Sequence, residues 1–198
     1  MSLYHNIGKR ILTIVIFPFL LLLLFPGVLF QQSTSIVKQV NDVPRKYRKT
    51  NRELPSKPSP YVAAMLDPLK TFVAKDIKEE SVEREIVTRV LTQICGVYLR
   101  HTTDVLTSVQ KMEESLKRLK KARGGGGANG SGGASAATSG AEAAVSDDDK
   151  IRLQLALDVK SFQSRLDSSF RFEAEKLEQF VEMRTLVVEA TAGLTEFV

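Results

Sequence analysis

Residues 104–124 read DVLTSVQKMEESLKRLKKARG, and this run decides the fold. Val105, Val109, Met112, Leu116 and Leu119 follow 4-3-4-3 spacing, the apolar seam of a coiled coil or helix bundle. Glu113 with Lys117, and Glu114 with Arg118, are i,i+4 pairs in the favourable order, worth about 0.2–0.5 kcal/mol each. Lys120, Lys121 and Arg123 suit the negative end of the helix dipole, and Gly124 is a ready C-cap. The run therefore predicts the last turns of one long helix.

Upstream, Val87, Leu91, Ile94 and Tyr98 form an earlier stripe, so the helix is predicted from about Ser81 to Arg123. Ser81 is its expected cap, and Glu83 and Glu85 suit the positive end. His101, Thr102 and Thr103 interrupt the seam, so the two stripes need not face one partner. The single cysteine, Cys95, lies on the first stripe and reads as a small buried hydrophobe, and no intrachain disulfide can form.

Downstream, residues 124–145 hold eight Gly, seven Ala and three Ser, a composition that buries almost nothing and predicts flexible coil. Its root-mean-square span would be roughly 26 Å, enough for the next helix to fold back antiparallel. Ser146 with Asp149 three positions on is a capping-box-like start, and Asp147–Asp149 set three carboxylates at the helix N-terminus. Ile151, Leu155, Val159, Phe162, Leu166 and Phe170 then run down one face, with Leu153 and Leu157 widening it. A break is expected near Ser169, before Leu177, Phe180, Val181, Leu186 and Val187 resume the pattern.

Before the long helix, residues 33–60 are basic and punctuated by Pro44, Pro55, Pro58 and Pro60. Ile36, Val37, Val40 and Val43 predict a short helix stopping before Pro44, followed by an extended connector over 45–57. Residues 61–77 show helical spacing that Pro68 should break or bend. Lys38, Arg45, Lys46, Arg48, Lys49, Arg52 and Lys57 face only Asp42 and Glu53 here, so this segment holds the whole excess of +5. Such a strip suits anionic lipid headgroups, with Arg45, Lys46, Arg48, Lys49 and Arg52 as the membrane-surface candidates, or equally a solvated linker.

Residues 11–30 carry no charge, and twenty residues at about 1.5 Å each span about one bilayer core. No Ala-x-Ala-like site follows, so an uncleaved anchor is favoured over a removed signal, although Pro18 and Pro26 disturb a spanning helix. The basic residues beyond it place 33–198 in the cytosol.

Catalytic constellations are not found. His5 and His101 have no Ser/Asp or Cys partner pattern, and the glycine run lacks the Gly-Lys-[Ser/Thr] ending of a phosphate loop. Asp147–Asp149 lack the glycine and distal Glu of a calcium loop. One Arg before glycines, without aromatics, is not an RNA-binding tract. No catalytic, cofactor-binding or metal-ligating residue is assigned, and nucleic acid is not an expected partner.

Three words in order, QVNDVPRKYRKTNRELP (39–55), DVLTSVQKMEESLKRLK (104–120) and SDDDKIRLQLALDV (146–159), resemble the C-terminal domain of subunit 2 of the conserved oligomeric Golgi complex. The resemblance covers roughly residues 34–160. It implies a non-enzymatic vesicle-tethering subunit on the cytosolic face of the Golgi membrane, working in intra-Golgi retrograde transport. Its implied partners are sister subunits, with SNAREs and small GTPases, and it brings no catalytic residue. The family subunit is several times longer. Residues 1–32 lie outside the resemblance and are expected to come from a faulty start or exon choice rather than an acquired anchor.

The sequence thus predicts an all-α chain of long amphipathic helices in a small bundle or helical rod. Its divisions are a leader (1–32), a basic connector (33–60), a helical region (61–123), a Gly/Ala/Ser linker (124–145) and a C-terminal helical region (146–198). Val105, Val109, Met112, Leu116, Leu119, Ile151, Leu155, Val159, Phe162 and Leu166 are the contact candidates, against each other or against a partner. The alternative is an independent single-pass membrane-anchored coiled-coil protein with a cytosolic helical domain.

Overall fold

The computed structural model describes residues 17–48, 50–124 and 145–194, with side chains described from residue 27 onward except at 49, 120, 123 and 124. The helices are α1 (Phe17–Val37), α2 (Val43–Tyr47), α3 (Pro60–Ala64), α4 (Asp67–Asp76), α5 (Glu80–Gly124), α6 (Asp147–Phe170) and α7 (Glu178–Ala190). Two 3-10 turns, Lys38–Asp42 and Ala174–Lys176, join α1 to α2 and α6 to α7. No strand occurs among the described residues, so the chain is all-α. Most of the Gly/Ala/Ser linker and the first half of the leader lie outside the described residues.

Prolines set the short helices. Pro44, Pro60 and Pro68 each sit in the first turn of α2, α3 and α4, where a missing N–H breaks no intrahelical bond. Pro68 thus separates two helices, as its position predicted. Pro44 does more than follow a stop: it opens α2, and only residues 52–59 run on without helix, after a left-handed Asn51 (φ 49°). Val40, Val43 and Tyr47, from the segment expected as a connector, are buried in the core.

The long helix is α5, 45 residues without a break. Ser81 is not its cap. The helix already includes Glu80, and the Ser81 hydroxyl donates to Glu79 Oε1 at 2.7 Å. Ser146 does cap α6: its Oγ accepts from the Asp149 backbone N–H at 3.1 Å and donates to Asp149 Oδ2 at 2.7 Å. α6 stops at Phe170 because Arg171 turns left-handed (φ 49°), and the N–H groups of Arg171 and Phe172 close onto the carbonyls of Asp167 and Leu166.

α6 lies antiparallel to α5. Arg152 meets Glu113 near one end of the pair, whereas Phe162 meets Tyr98 further back along α5. α1 and α7 both pack on α5, while α2 and α3 pack on α6. Four rings tie the layers together. Tyr61 (α3) meets Tyr98 (α5) edge-on at 6.2 Å, Tyr98 meets Phe162 (α6) edge-on at 5.5 Å, and Phe162 lies 6.2 Å from Phe180 (α7).

The end of the apolar leader belongs to the bundle. α1 runs unbroken across residues 30–33, and Leu29, Ser33 and Val37 are buried in the core of the domain. A bilayer span over 11–30 would put Leu29 in lipid instead. Among the described residues, no helix is long and apolar enough to cross a membrane.

Candidate interaction surface

One buried polar cluster is not revealed by the sequence pattern. Asp158 is fully buried on α6. Its Oδ1 accepts from the Ser59 backbone N–H at 2.6 Å and from Gln154 Nε2 at 2.9 Å, and its Oδ2 accepts from the Tyr61 hydroxyl at 2.6 Å. Gln154 also donates to the Lys57 carbonyl at 3.0 Å and accepts from the Tyr47 hydroxyl at 2.6 Å. One turn further toward the N-terminus, Lys150 Nζ donates to the Arg52 carbonyl at 2.7 Å.

Lys150, Gln154 and Asp158 are four apart, hence on one face of α6, and they hold the extended backbone of 52–59 along the helix. Burial pushes the Asp158 carboxyl above the usual carboxylate range, while its three donors pull the other way. The cluster is a fastening: every atom of the carboxylate is engaged by its own chain, and none points to a substrate.

Two further titratable groups with shifted pKa are Cys95 and His101. Cys95 is buried, and desolvation pushes its thiol up to about 12, far from a reactive thiolate. His101 Nδ1 lies 3.1 Å from Asn41 Nδ2, and burial, with Arg100 and Lys38 nearby, lowers its pKa despite Asp104. Among the described residues, no group of three His, Cys, Asp or Glu could hold a metal ion.

The ten contact candidates divide into two sets. Val105, Val109, Ile151, Leu155, Val159, Phe162 and Leu166 are buried within the chain's own core. Their partners are its own helices, so they are not available as a free surface. Met112, Leu116 and Leu119 instead stand 46%, 52% and 61% exposed on the last turns of α5. The seam is therefore continuous in sequence but changes environment after Val109.

On its outer edge, Glu113 does not pair with Lys117; it bridges to Arg152 Nη1 at 2.7 Å, and Arg152 also reaches Asp149 at 2.9 Å. This fixes the start of α6 beside the middle of the seam. The Arg152 guanidinium pKa is raised by those carboxylates, the hydrogen bond it donates to Glu113 being the largest influence.

The basic candidates scatter in role. Arg45 is exposed beside Asp42 at 3.5 Å, and Arg52 is exposed. Lys46 is half-buried, and Arg48 turns to Asp148 at 3.5 Å. Lys49 lies outside the described residues. Arg48 thus links α2 to the acidic start of α6 rather than facing outward.

Comparison with known proteins assigns this architecture. The family described as COG complex component, COG2, C-terminal matches residues 5–159. The match takes in most of the apolar leader, which was expected to lie outside the resemblance. The chain is similar to conserved oligomeric Golgi complex subunit 2 of Drosophila melanogaster, 43% identical over 159 residues, covering 79% of this chain and 21% of that protein. The Homo sapiens subunit 2 is 38% identical over 156 residues, covering 78% of this chain and 20% of that protein. The Arabidopsis thaliana subunit 2 is 28% identical over 142 residues, covering 68% and 18%. The chain spans about one fifth of the length of the curated relatives it matches. No solved structure matches it significantly.

Proposed function

The chain belongs to the COG complex component COG2 C-terminal family, and on that premise we propose that it serves as part of a Golgi tethering complex by protein–protein contact. In this role it supports intra-Golgi retrograde transport and Golgi organisation from the cytosolic face of the membrane. Its partners are other subunits of the complex, with SNAREs and small GTPases as further contacts. The exposed basic residues Arg45 and Arg52, with Lys46 and Lys49 beside them in sequence, contribute attraction to an anionic membrane surface, about 1 kcal/mol per cation close to it.

One observation carries the reading: the apolar seam continues past the helix bundle as Met112, Leu116 and Leu119, while the buried Asp158 cluster is consumed by its own chain. A tethering module needs a rigid helical body and a surface left for others, and both are present. The test is affinity purification of the tagged chain from cells, followed by identification of sister subunits. Recovery of those subunits supports the role. Their consistent absence, with the chain folded and soluble, rejects it.

A further inference from the structure

We propose that the projecting stripe Met112–Leu116–Leu119 docks an amphipathic helix of a partner protein that carries its own apolar heptad seam and an acidic edge. The proposal rests on the tethering reading above and specifies the chemistry of the partner.

The register fixes the direction of approach. With Val109 and Leu116 at a, and Met112 and Leu119 at d, Glu113 falls at e and Ser108, Ser115 and Ala122 at g. The e side is closed, because Glu113 is bridged to Arg152 of α6 at 2.7 Å. The g side is open and built of small residues, which lets a second helix come close. A shallow groove of about 420 Å³ runs along that side, lined by Asp104, Thr107, Ser108, Lys111, Met112 and Ser115.

Charge identifies the occupant. Lys111 and Arg118, one heptad apart, border the g side; both are exposed, and neither has an acidic partner among the described residues. Asp104 is the one acid lining the groove, near its start. A helix lying over Met112, Leu116 and Leu119 from this side sets its outer edge against Lys111 and Arg118. Acids spaced by a heptad on that edge complement them, and lysines there are repelled.

The experiment uses the full chain and two synthetic amphipathic peptides of about four heptads with identical Leu seams, one edged with Glu and one with Lys. The Glu-edged peptide is expected to bind roughly tenfold or more tighter. Leu116→Asp and Leu119→Asp each abolish that binding while helix content and melting stay unchanged, since both positions are exposed. The double change Lys111→Glu with Arg118→Glu reverses the preference.

Equal binding of the two peptides overturns the proposal, as does undiminished binding by Leu116→Asp. Self-association of the chain that Leu116→Asp removes overturns it in favour of a second copy as occupant. Sister subunits that co-purify equally with Leu116→Asp reject this surface and leave the tethering role standing. Failure of all co-purification, with peptide binding intact, rejects the role and leaves the surface.

Discussion

The hydroxyl of Tyr61 donates to Oδ2 of Asp158 across 2.6 Å, joining α3 to α6 over 97 residues of sequence. A carboxylate this deeply buried is tolerated only because it is fully hydrogen-bonded. Tyr61→Phe is therefore expected to destabilise the fold by about 1–3 kcal/mol, the penalty for leaving a buried acceptor short of a donor. Asp158→Asn keeps an acceptor for Ser59 and Gln154 and loses less than Asp158→Ala. Urea unfolding of the three variants gives the order, and an Asp158→Ala variant as stable as the wild type would refute the fastening role.

The same carboxyl makes stability depend on pH in a definite direction. Its folded pKa lies above the ordinary value, chiefly through burial. The contribution is thus fully present below the unfolded pKa of about 3.9 and is lost as pH rises through the folded value. Relative to the wild type, Asp158→Asn should gain stability between acid pH and neutrality. Parallel denaturation curves at a series of pH values measure this difference.

His101 behaves oppositely. Its folded pKa is lowered, first by burial and then by Arg100 and Lys38, so its contribution is present above about 6.5 and is lost as pH falls through the folded value. In the neutral Nε2–H tautomer, Nδ1 accepts from Asn41 Nδ2. Acidification from neutrality toward pH about 5 is expected to destabilise the wild type more than His101→Gln. Equal acid sensitivity of the two proteins contradicts this.

Two apolar residues on the long helices should respond very differently. Phe162 is fully buried between Tyr98 and Phe180, and truncation to Ala is expected to lose about 3–5 kcal/mol. Leu116 is half-exposed, and its truncation to Ala should change stability by less than about 0.5 kcal/mol. Thermal melts separate them. Val109, on the same seam, belongs with Phe162 because it is fully buried, so a charged residue there reports on folding before it reports on partners.

Halving the run of residues 125–144 should leave the fold intact and raise stability by only about 0.6 kcal/mol, since closure entropy depends weakly on length. Circular dichroism and urea midpoints of the shortened chain test this. A collapse of the fold would show that the linker residues themselves matter.

Much of the helix layout was legible because heptad spacing and capping residues act locally. The seam of α5 and the Ser146 cap of α6 were read from a few neighbouring residues. What escaped was non-local. Asp158 stands seven residues after Ile151 and four before Phe162, a position on the apolar face of α6. Its placement there was the available signal, but its donors come from Ser59 and Tyr61, about a hundred positions earlier. Likewise the exchange of Lys117 for Arg152 as the partner of Glu113 depends on how α6 folds back, which no local spacing states. Hydropathy alone does not distinguish lipid from a protein core, and Leu29, at the end of the apolar run, packs in the second.

The unbroken length of α5 has a mechanical consequence. At about 1.5 Å per residue its 45 residues make a strut of about 68 Å, gripped by α1 and α7. A tension applied at its projecting tip runs along the axis and loads those contacts in shear, all together, rather than peeling them one by one. Resistance to such a pull is set by the unfolding rate and not by equilibrium stability. A rod gripped in this way resists an axial pull for longer than its equilibrium stability alone would set.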